Sequence, residues 1–279
     1  MEVFNSPQKF SRHFFGKSYS IGMVPTMGAL HDGHLSLIKK ALIENDKVLV
    51  TIFVNPTQFD DNIDFKNYPN ELEEDLYKIS QFGKNISVFI PNENDIYGEE
   101  IISKQYDLGN LDTVMEGKTR KGHFQGVATV LEYFFKTFLP SKAYFGEKDY
   151  QQLLVVNHLR KSLNISTKIV GCPIVRTTDG LAMSSRNILL NTEQRRIAPK
   201  IYEGLKLAKR LANTEKYKKV KIEVSDFFKN LSLIKLEYFT ATDPFTLVEF
   251  NPNEKIKSGR GFIAASLGKI RLIDNINMS

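Results

Sequence analysis

The chain predicts an α/β protein, with a Rossmann-like parallel-sheet domain over residues 1–175 and a smaller C-terminal α+β domain over residues 176–279. Three observations carry this expectation. In the first part, short β-branched runs alternate with segments of helical apolar period, the pattern of successive βαβ units. The run Val48-Leu49-Val50-Thr51-Ile52-Phe53-Val54 is almost wholly apolar, as a central parallel strand covered by helices on both faces requires. Beyond Arg176 the order changes to polar helical segments followed by strands.

Taken in order, residues 21–26 read as a strand and 34–44 as a helix with Leu35, Ile38 and Leu42 on one face. Strand 47–55 follows, then a helix over 71–82 that groups Leu72, Leu76, Ile79 and Phe82 and is stopped by Gly83. Residues 87–90 form the next strand. The irregular stretch 92–122 leaves room for substrate-facing loops. Helix 124–139, strand 143–145, helix 149–163 and strand 167–175 complete the first domain. In the second, helical stretches 192–212 and 219–231 precede strands at 236–242 and 261–265.

Composition narrows the classes. A chain of 279 residues with 42% hydrophobic and 25% charged residues is an ordinary folded protein, neither disordered nor collagen-like. A net charge of +6 and a pI near 9.1 raise a nucleic-acid reading. The charges are scattered, however, and the densest basic stretch, 195–221, falls on expected helices, where solvated lysines are the simpler account. One cysteine, Cys172, excludes an internal disulfide and a multi-cysteine metal site. It lies in an apolar run and reads as a buried structural thiol. Residues 1–9 are polar, Phe14-Phe15 is too short for a signal core, and no run reaches transmembrane length, so the expectation is a cytoplasmic protein without membrane or nucleic-acid partners.

The most informative segment is Val24-Pro25-Thr26-Met27-Gly28-Ala29-Leu30-His31-Asp32-Gly33-His34. A strand ends, Gly28 permits a tight turn, and two histidines flank Gly33 where a helix begins. Helix starts carry unpaired N–H groups and a positive dipole end, which suits a phosphate. Taken alone, the two histidines also fit a metal pair or ordinary surface residues. A second element, Met183-Ser184-Ser185-Arg186, puts two hydroxyls beside a permanent cation whose planar fork fits phosphate oxygens; in isolation it also reads as loop filler. Gln58 reads equally as a surface amide, and Glu147-Lys148-Asp149 as a solvated helix start capped by Asp149.

His31-x-Gly33-His34 resembles the HIGH signature of the nucleotidylyltransferase superfamily, and Met183 to Arg186 resembles its KMSKS loop. The chain is further similar to the pantothenate synthetases in 25–37, 52–59, 122–127, 146–153, 170–189 and 271–275. That resemblance implies an AMP-forming ligase joining pantoate to β-alanine through an acyl adenylate, with ATP and Mg²⁺, as a homodimer. It places Met27, Gly28, Ala29, Leu30, His31, Asp32, Gly33 and His34 at ATP, with His34 as the principal catalytic histidine. Gly146, Glu147, Lys148 and Asp149 would contact the nucleotide, Val175 and Met183 would line it, and Ser184, Ser185 and Arg186 would close over the phosphates. His31, His34, Lys148, Ser184, Ser185 and Arg186 form the implied catalytic set. Gln58 and Gln152 would bind pantoate, and Gln58 also β-alanine. His123 would position backbone rather than touch substrate. Asp60-Asp61-Asn62 departs from the family pattern, as does the region from Leu190 onward. Another nucleotidylyltransferase and a synthetase-derived RNA-binding module are the rival readings.

Overall fold

The structure, a computed structural model, describes residues 1–14, 18–60 and 62–279. Phe15 of the short apolar patch and Asp61 of the divergent turn lie outside the described residues.

The chain divides into two compact units, one comprising Met1–Glu147 and Gln151–Pro173, the other Lys148–Tyr150 and Ile174–Ser279. This differs from a single cut after Val175: Ile174, Val175 and the Lys148–Tyr150 segment group with the second unit.

The first unit contains strands β1 (Glu2–Phe4), β2 (Ile21–Thr26), β3 (Lys47–Ile52), β4 (Ile86–Phe89), β5 (Lys142–Gly146) and β6 (Lys168–Cys172). Its helices are α1 (Pro7–Phe14), α2 (Asp32–Glu44), α3 (Asn62–Lys66), α4 (Leu72–Ser80), α5 (Glu93–Tyr97), α6 (Met115–Thr119), α7 (His123–Phe138) and α8 (Tyr150–Ser162), the last beginning at the unit boundary. The six strands form a parallel sheet in the order β1-β4-β3-β2-β5-β6. Met23, Val24, Val48, Leu49, Val50, Ile86 and Val88 are all buried, which explains why these strands lack a polar alternation.

Two strands are shorter than their apolar runs suggest. β3 ends at Ile52, because Asn55 accepts from the Thr57 amide and starts a 3-10 turn at Pro56. β6 ends at Cys172, because Pro173 has no N–H to continue the ladder. The strand expected through Val175 is therefore corrected. Burial pushes the Cys172 thiol up to about 11, in keeping with an inert thiol.

In the second unit, α9 (Thr192–Ile197), α10 (Lys200–Ala212) and α11 (Tyr217–Lys229) accompany an antiparallel sheet of β7 (Lys235–Thr242), β8 (Arg260–Leu267) and β9 (Ile270–Asn277), in that order. Leu205, Ala208, Val220, Val224 and Phe228 from the helices meet Ile263, Ala265 and Leu272 from the sheet in one apolar core.

Strand order sets the place of the site. β2 lies between β3, which follows it in sequence, and β5, which comes much later. The winding direction reverses there, and ligands of open α/β sheets bind beyond the carboxyl ends of strands at such a point. Thr26 of β2 and Gly146 of β5 are those ends.

Candidate active site

The turn from Thr26 to His31 is held from beneath by a buried carboxylate. Asp75 of α4 is wholly buried, and its two oxygens accept from the Ala29 amide at 2.8 Å and the Leu30 amide at 2.6 Å. Burial pushes the Asp75 carboxyl above the ordinary range, against the opposing pull of those two amides. Gly28 has φ +83, and a Cβ there would stand 3.0 Å from Asp75 Oδ2 and 3.3 Å from the Ile52 side chain. Glycine is therefore favoured by the backbone, and a side chain would also crowd Asp75 and Ile52. Ala29 follows at φ 49, a conformation uncommon for a residue with a side chain.

His31 is the N-cap of α2, and the two histidines form a capping box. His31 Nδ1 accepts from the Gly33 amide at 3.1 Å, and His34 Nδ1 accepts from the His31 amide at 3.4 Å. A ring nitrogen that accepts leaves the proton on the other nitrogen of a neutral imidazole. Both rings therefore carry their hydrogen on Nε2. They stack with centroids 4.1 Å apart, which presents two N–H donors side by side.

One expectation is narrowed here. The helix start was read as offering bare amides to a phosphate, and the amides of Ala29, Leu30, His31, Gly33 and His34 already have partners within the protein, whereas the Asp32 amide takes none among the described residues. Beside that amide the turn carries imidazole N–H groups, fixed in tautomer by the backbone they cap.

Gln58 is buried in the 3-10 turn after β3. Its Oε1 accepts from Asn55 Nδ2 at 3.2 Å, and its Nε2 faces the Met27 sulfur. Asn55 Oδ1 accepts in turn from the Tyr97 hydroxyl and from Thr57 Oγ1; burial pushes the Tyr97 phenol up to about 12. His123 is buried and its Nδ1 donates to the Gln58 carbonyl at 2.8 Å, while Arg120 Nη2 donates to the same oxygen at 3.3 Å. His123 thus fixes the Gln58 backbone, as its placement at a helix start suggested. Of the adjacent glutamines, Gln151 is buried and braces the carbonyls of Leu111 and Val114. The half-buried Gln152 amide takes no hydrogen bond among the described residues.

In the second unit, Lys148 has a side chain 18% exposed, with Nζ 3.5 Å from Asp149 Oδ1. Residues 175–183 form a small hairpin: Met183 N donates to the Val175 carbonyl at 3.0 Å, Thr177 N to Leu181 O at 2.9 Å, and Gly180 turns the chain at φ +96. Ser184 caps the following 3-10 turn, its hydroxyl accepting from the Arg186 amide at 3.3 Å. Ser185 is buried, and Arg186 and Met183 are half-buried. Arg176 and Asp274 form a two-pronged ion pair, at 2.6 and 2.9 Å.

The expected site residues therefore divide. Met27 to His34, Gln58, Gly146, Glu147 and Gln152 belong to the first unit, and Lys148, Asp149, Val175 and Met183 to Arg186 to the second. Sequence reasoning missed Asp75, Asn55 and Tyr97. Asp75 did leave a signal: it falls among Leu72, Leu76 and Ile79, a lone carboxylate on an apolar helix face. Among the described residues no group of three or more His, Cys, Asp or Glu side chains could hold a metal ion, and no helix is long and apolar enough to cross a membrane.

Comparison with known proteins identifies the family. The family model described as pantoate-beta-alanine ligase matches residues 2–277. The pantothenate synthetase of Christiangramia forsetii is 48% identical over 93% of this chain and 92% of its own length. That of Flavobacterium psychrophilum is 46% identical over 96% and 95%. Among solved structures, pantothenate synthetase from Thermus thermophilus superposes with a TM-score of 0.92 at 35% identity, covering 100% of this chain and 99% of that one. Pantoate-beta-alanine ligase from Francisella tularensis, complexed with beta-gamma ATP and beta-alanine, gives 0.81 at 36% identity, covering 100% and 98%. With a signature turn built on two capping histidines and a relationship running from end to end, the chain belongs to the pantoate–β-alanine ligase family.

Proposed function

We propose that the protein condenses pantoate with β-alanine at the expense of ATP, giving pantothenate, AMP and pyrophosphate through pantoyl adenylate. The observation that carries this reading is the His31–His34 capping box at the carboxyl end of β2, which fixes two Nε2–H donors where the sheet order reverses.

An amine cannot displace oxide from a carboxylate, because oxide is too poor a leaving group. In the first step a pantoate carboxylate oxygen attacks the α-phosphorus of ATP, and the bond from that phosphorus to the bridging oxygen breaks to release pyrophosphate. Charge moves onto the departing phosphates. The His34 and His31 Nε2–H groups, the Lys148 ammonium and the Arg186 guanidinium stabilise it, with the Ser184 and Ser185 hydroxyls as further donors. Met27 to Leu30, Asp32, Gly33, Gly146, Glu147, Asp149, Val175 and Met183 shape the nucleotide's surroundings. In the second step the β-alanine amine attacks the adenylate carbonyl, AMP leaves, and the amine loses a proton. Gln58 and Gln152 hold pantoate, and Gln58 orients β-alanine.

Magnesium would enter as the counter-ion of ATP, held largely by phosphate oxygens and water rather than by a dedicated protein cage. The assembly expected of the family is a homodimer, which light scattering tests.

The deciding experiment follows pyrophosphate release with ATP and pantoate, then AMP formation on adding β-alanine. Activity with CTP or a nucleotide acceptor, and none with pantoate, would replace this reading with the rival nucleotidylyltransferase. Salt-sensitive tRNA binding without ligation would replace it with the RNA-binding module. His34→Ala is expected to lower turnover by about 100- to 1,000-fold, the cost of losing one preorganised transition-state donor, with the fold retained by circular dichroism.

A further inference from the structure

The reading above uses Lys148 and the Ser184–Arg186 turn but leaves Asp274 and Asn275, at the end of β9, without a part in the chemistry. Both are buried polar residues, 4% and 1% exposed. Successive residues of a strand face opposite sides, and these two reach different partners.

On one side, Asn275 is held between a group that can only donate and a group that can only accept. Arg260 Nη1 donates to Asn275 Oδ1 at 2.6 Å, and Asn275 Nδ2 donates to the Lys148 carbonyl at 2.9 Å. These partners dictate which way the amide faces, because the reversed amide would set donor against donor and acceptor against acceptor. The Arg260 guanidinium lies 3.7 Å from the centre of the Tyr150 ring, two residues after Lys148, and Phe262 packs on the same ring. The chain on both sides of Asp149 is thereby tied to the small sheet, through the Lys148 carbonyl and the Tyr150 ring.

On the other side, Asp274 takes the fork of Arg176 through both oxygens. Arg176 Nη1 also donates to the Gly180 carbonyl at 3.1 Å, and its guanidinium stacks on Tyr202 at 3.7 Å. This ties the first arm of the hairpin to its turn, and the hairpin leads directly into Ser184. Adjacent residues of one strand thus hold the Lys148 segment and the base of the serine–arginine turn, two pieces of chain far apart in sequence.

We infer that Asn275, with Asp274 beside it, is a positioning residue for adenylate formation, setting Lys148 at a fixed spacing from the Ser184–Arg186 turn. This rests on the reading that Lys148 acts on the phosphates of ATP. Neither residue is required to touch substrate. The aminolysis step, in which the triphosphate has already gone, depends on this spacing much less.

The test measures two half-reactions on full-length protein: pyrophosphate release with ATP and pantoate, and AMP release from supplied pantoyl adenylate with β-alanine. Asn275→Asp keeps the acceptor for Arg260 and loses the donor to Lys148. It is expected to lower kcat of the first half-reaction by about 10- to 100-fold, the scale of a displacement near one ångström, with the KM for pantoate unchanged and aminolysis close to that of the parent. Arg260→Met, which keeps packing on Tyr150 but releases the Asn275 amide, gives a smaller loss in the same half-reaction, and remains informative if Asn275→Asp does not fold. Equal losses in both half-reactions, or no loss in the first, would overturn the assignment. Lys148→Ala separates the two ideas. If it impairs adenylate formation while both β-sheet variants are normal, only the positioning role fails; if it is itself without effect, the role of Lys148 falls and the positioning role with it.

Discussion

The histidine turn of the first unit and the Lys148 segment of the second place comparable polar groups by opposite means. His31 and His34 are fixed by backbone two and three residues away, through a capping box that also sets their tautomers. The Lys148 backbone is held by Asn275, 127 positions along the chain, and the hairpin before Ser184 by Asp274, 98 positions from Arg176. A locally held group keeps its geometry as long as its helix forms. A remotely held one depends on the second unit's sheet being assembled, and each link can be cut by one substitution far from the chemistry.

The contrast has exceptions, and one of them offers the largest expected effect. Ala29 and Leu30 lean on Asp75, 46 and 45 residues away. Asp75→Ala leaves two buried amides without acceptors, each costing about 1–3 kcal/mol, so a loss of roughly 2–6 kcal/mol is expected in urea unfolding. Turnover falls with it as the Gly28–Leu30 turn loosens. Unchanged stability would mean that the histidine turn is self-supporting after all, and the contrast between the units would sharpen.

This division also explains what the sequence made legible. β2 matched its expected bounds, and the histidine motif was visible because the capping box that orients its two rings lies within a few residues. The stops were harder: β3 and β6 end where Asn55-Pro56 and Pro173 intervene, although apolar residues continue past both. α2 begins at Asp32, two residues before its expected start, because an imidazole serves as its cap. β9 went unread, since Arg271, Asp274 and Asn275 interrupt its alternation and their partners are remote in sequence. β1 has three residues, too few for a period to register. The resemblance singled out Gln58 and read His123 as a backbone-positioning residue, while the support from Tyr97 went unread. Tyr97 and His123 reach that turn from 40 and 65 residues away, through Thr57 and the Gln58 carbonyl.

Gly126 sharpens the comparison at intermediate cost. Its hydrogen bonding is ordinary for a helix, but a Cβ there would stand 2.7 Å from the Thr57 backbone carbon and oxygen. The 3-10 turn carrying Gln58 is thus seated against α7 by direct backbone approach. Gly126→Ala should cost about 1–3 kcal/mol through overpacking and raise the KM for pantoate more than that for ATP, because Gln58 shifts while the histidine turn does not. Equal changes in the two KM values would show that the two parts of the first unit move together.

The smallest effect concerns a charge network in the first unit that is held at long range, as Asp274 is in the second. Glu132 of α7 has a side chain only 8% exposed and meets Lys104 at 2.7 Å and Lys136 at 2.6 Å, and it accepts from the Tyr106 hydroxyl at 2.7 Å. Burial alone would raise its pKa, but the hydrogen bonds from Lys104, Lys136 and Tyr106 outweigh it and hold the carboxyl down to about 2, against the usual 4.5. A carboxylate whose pKa is depressed by folding stabilises the folded state above its unfolded value and loses that contribution as pH falls through its folded value. The urea midpoint of the parent should therefore decline between about pH 4.5 and 2 from this group, while Glu132→Gln lacks that component. At neutral pH the variant should be less stable by about 1 kcal/mol or less, because both lysines are largely exposed and screened, and the two curves should converge toward pH 2. Curves that stay parallel through that window would mean that the 104–106 segment is held by packing rather than by charge.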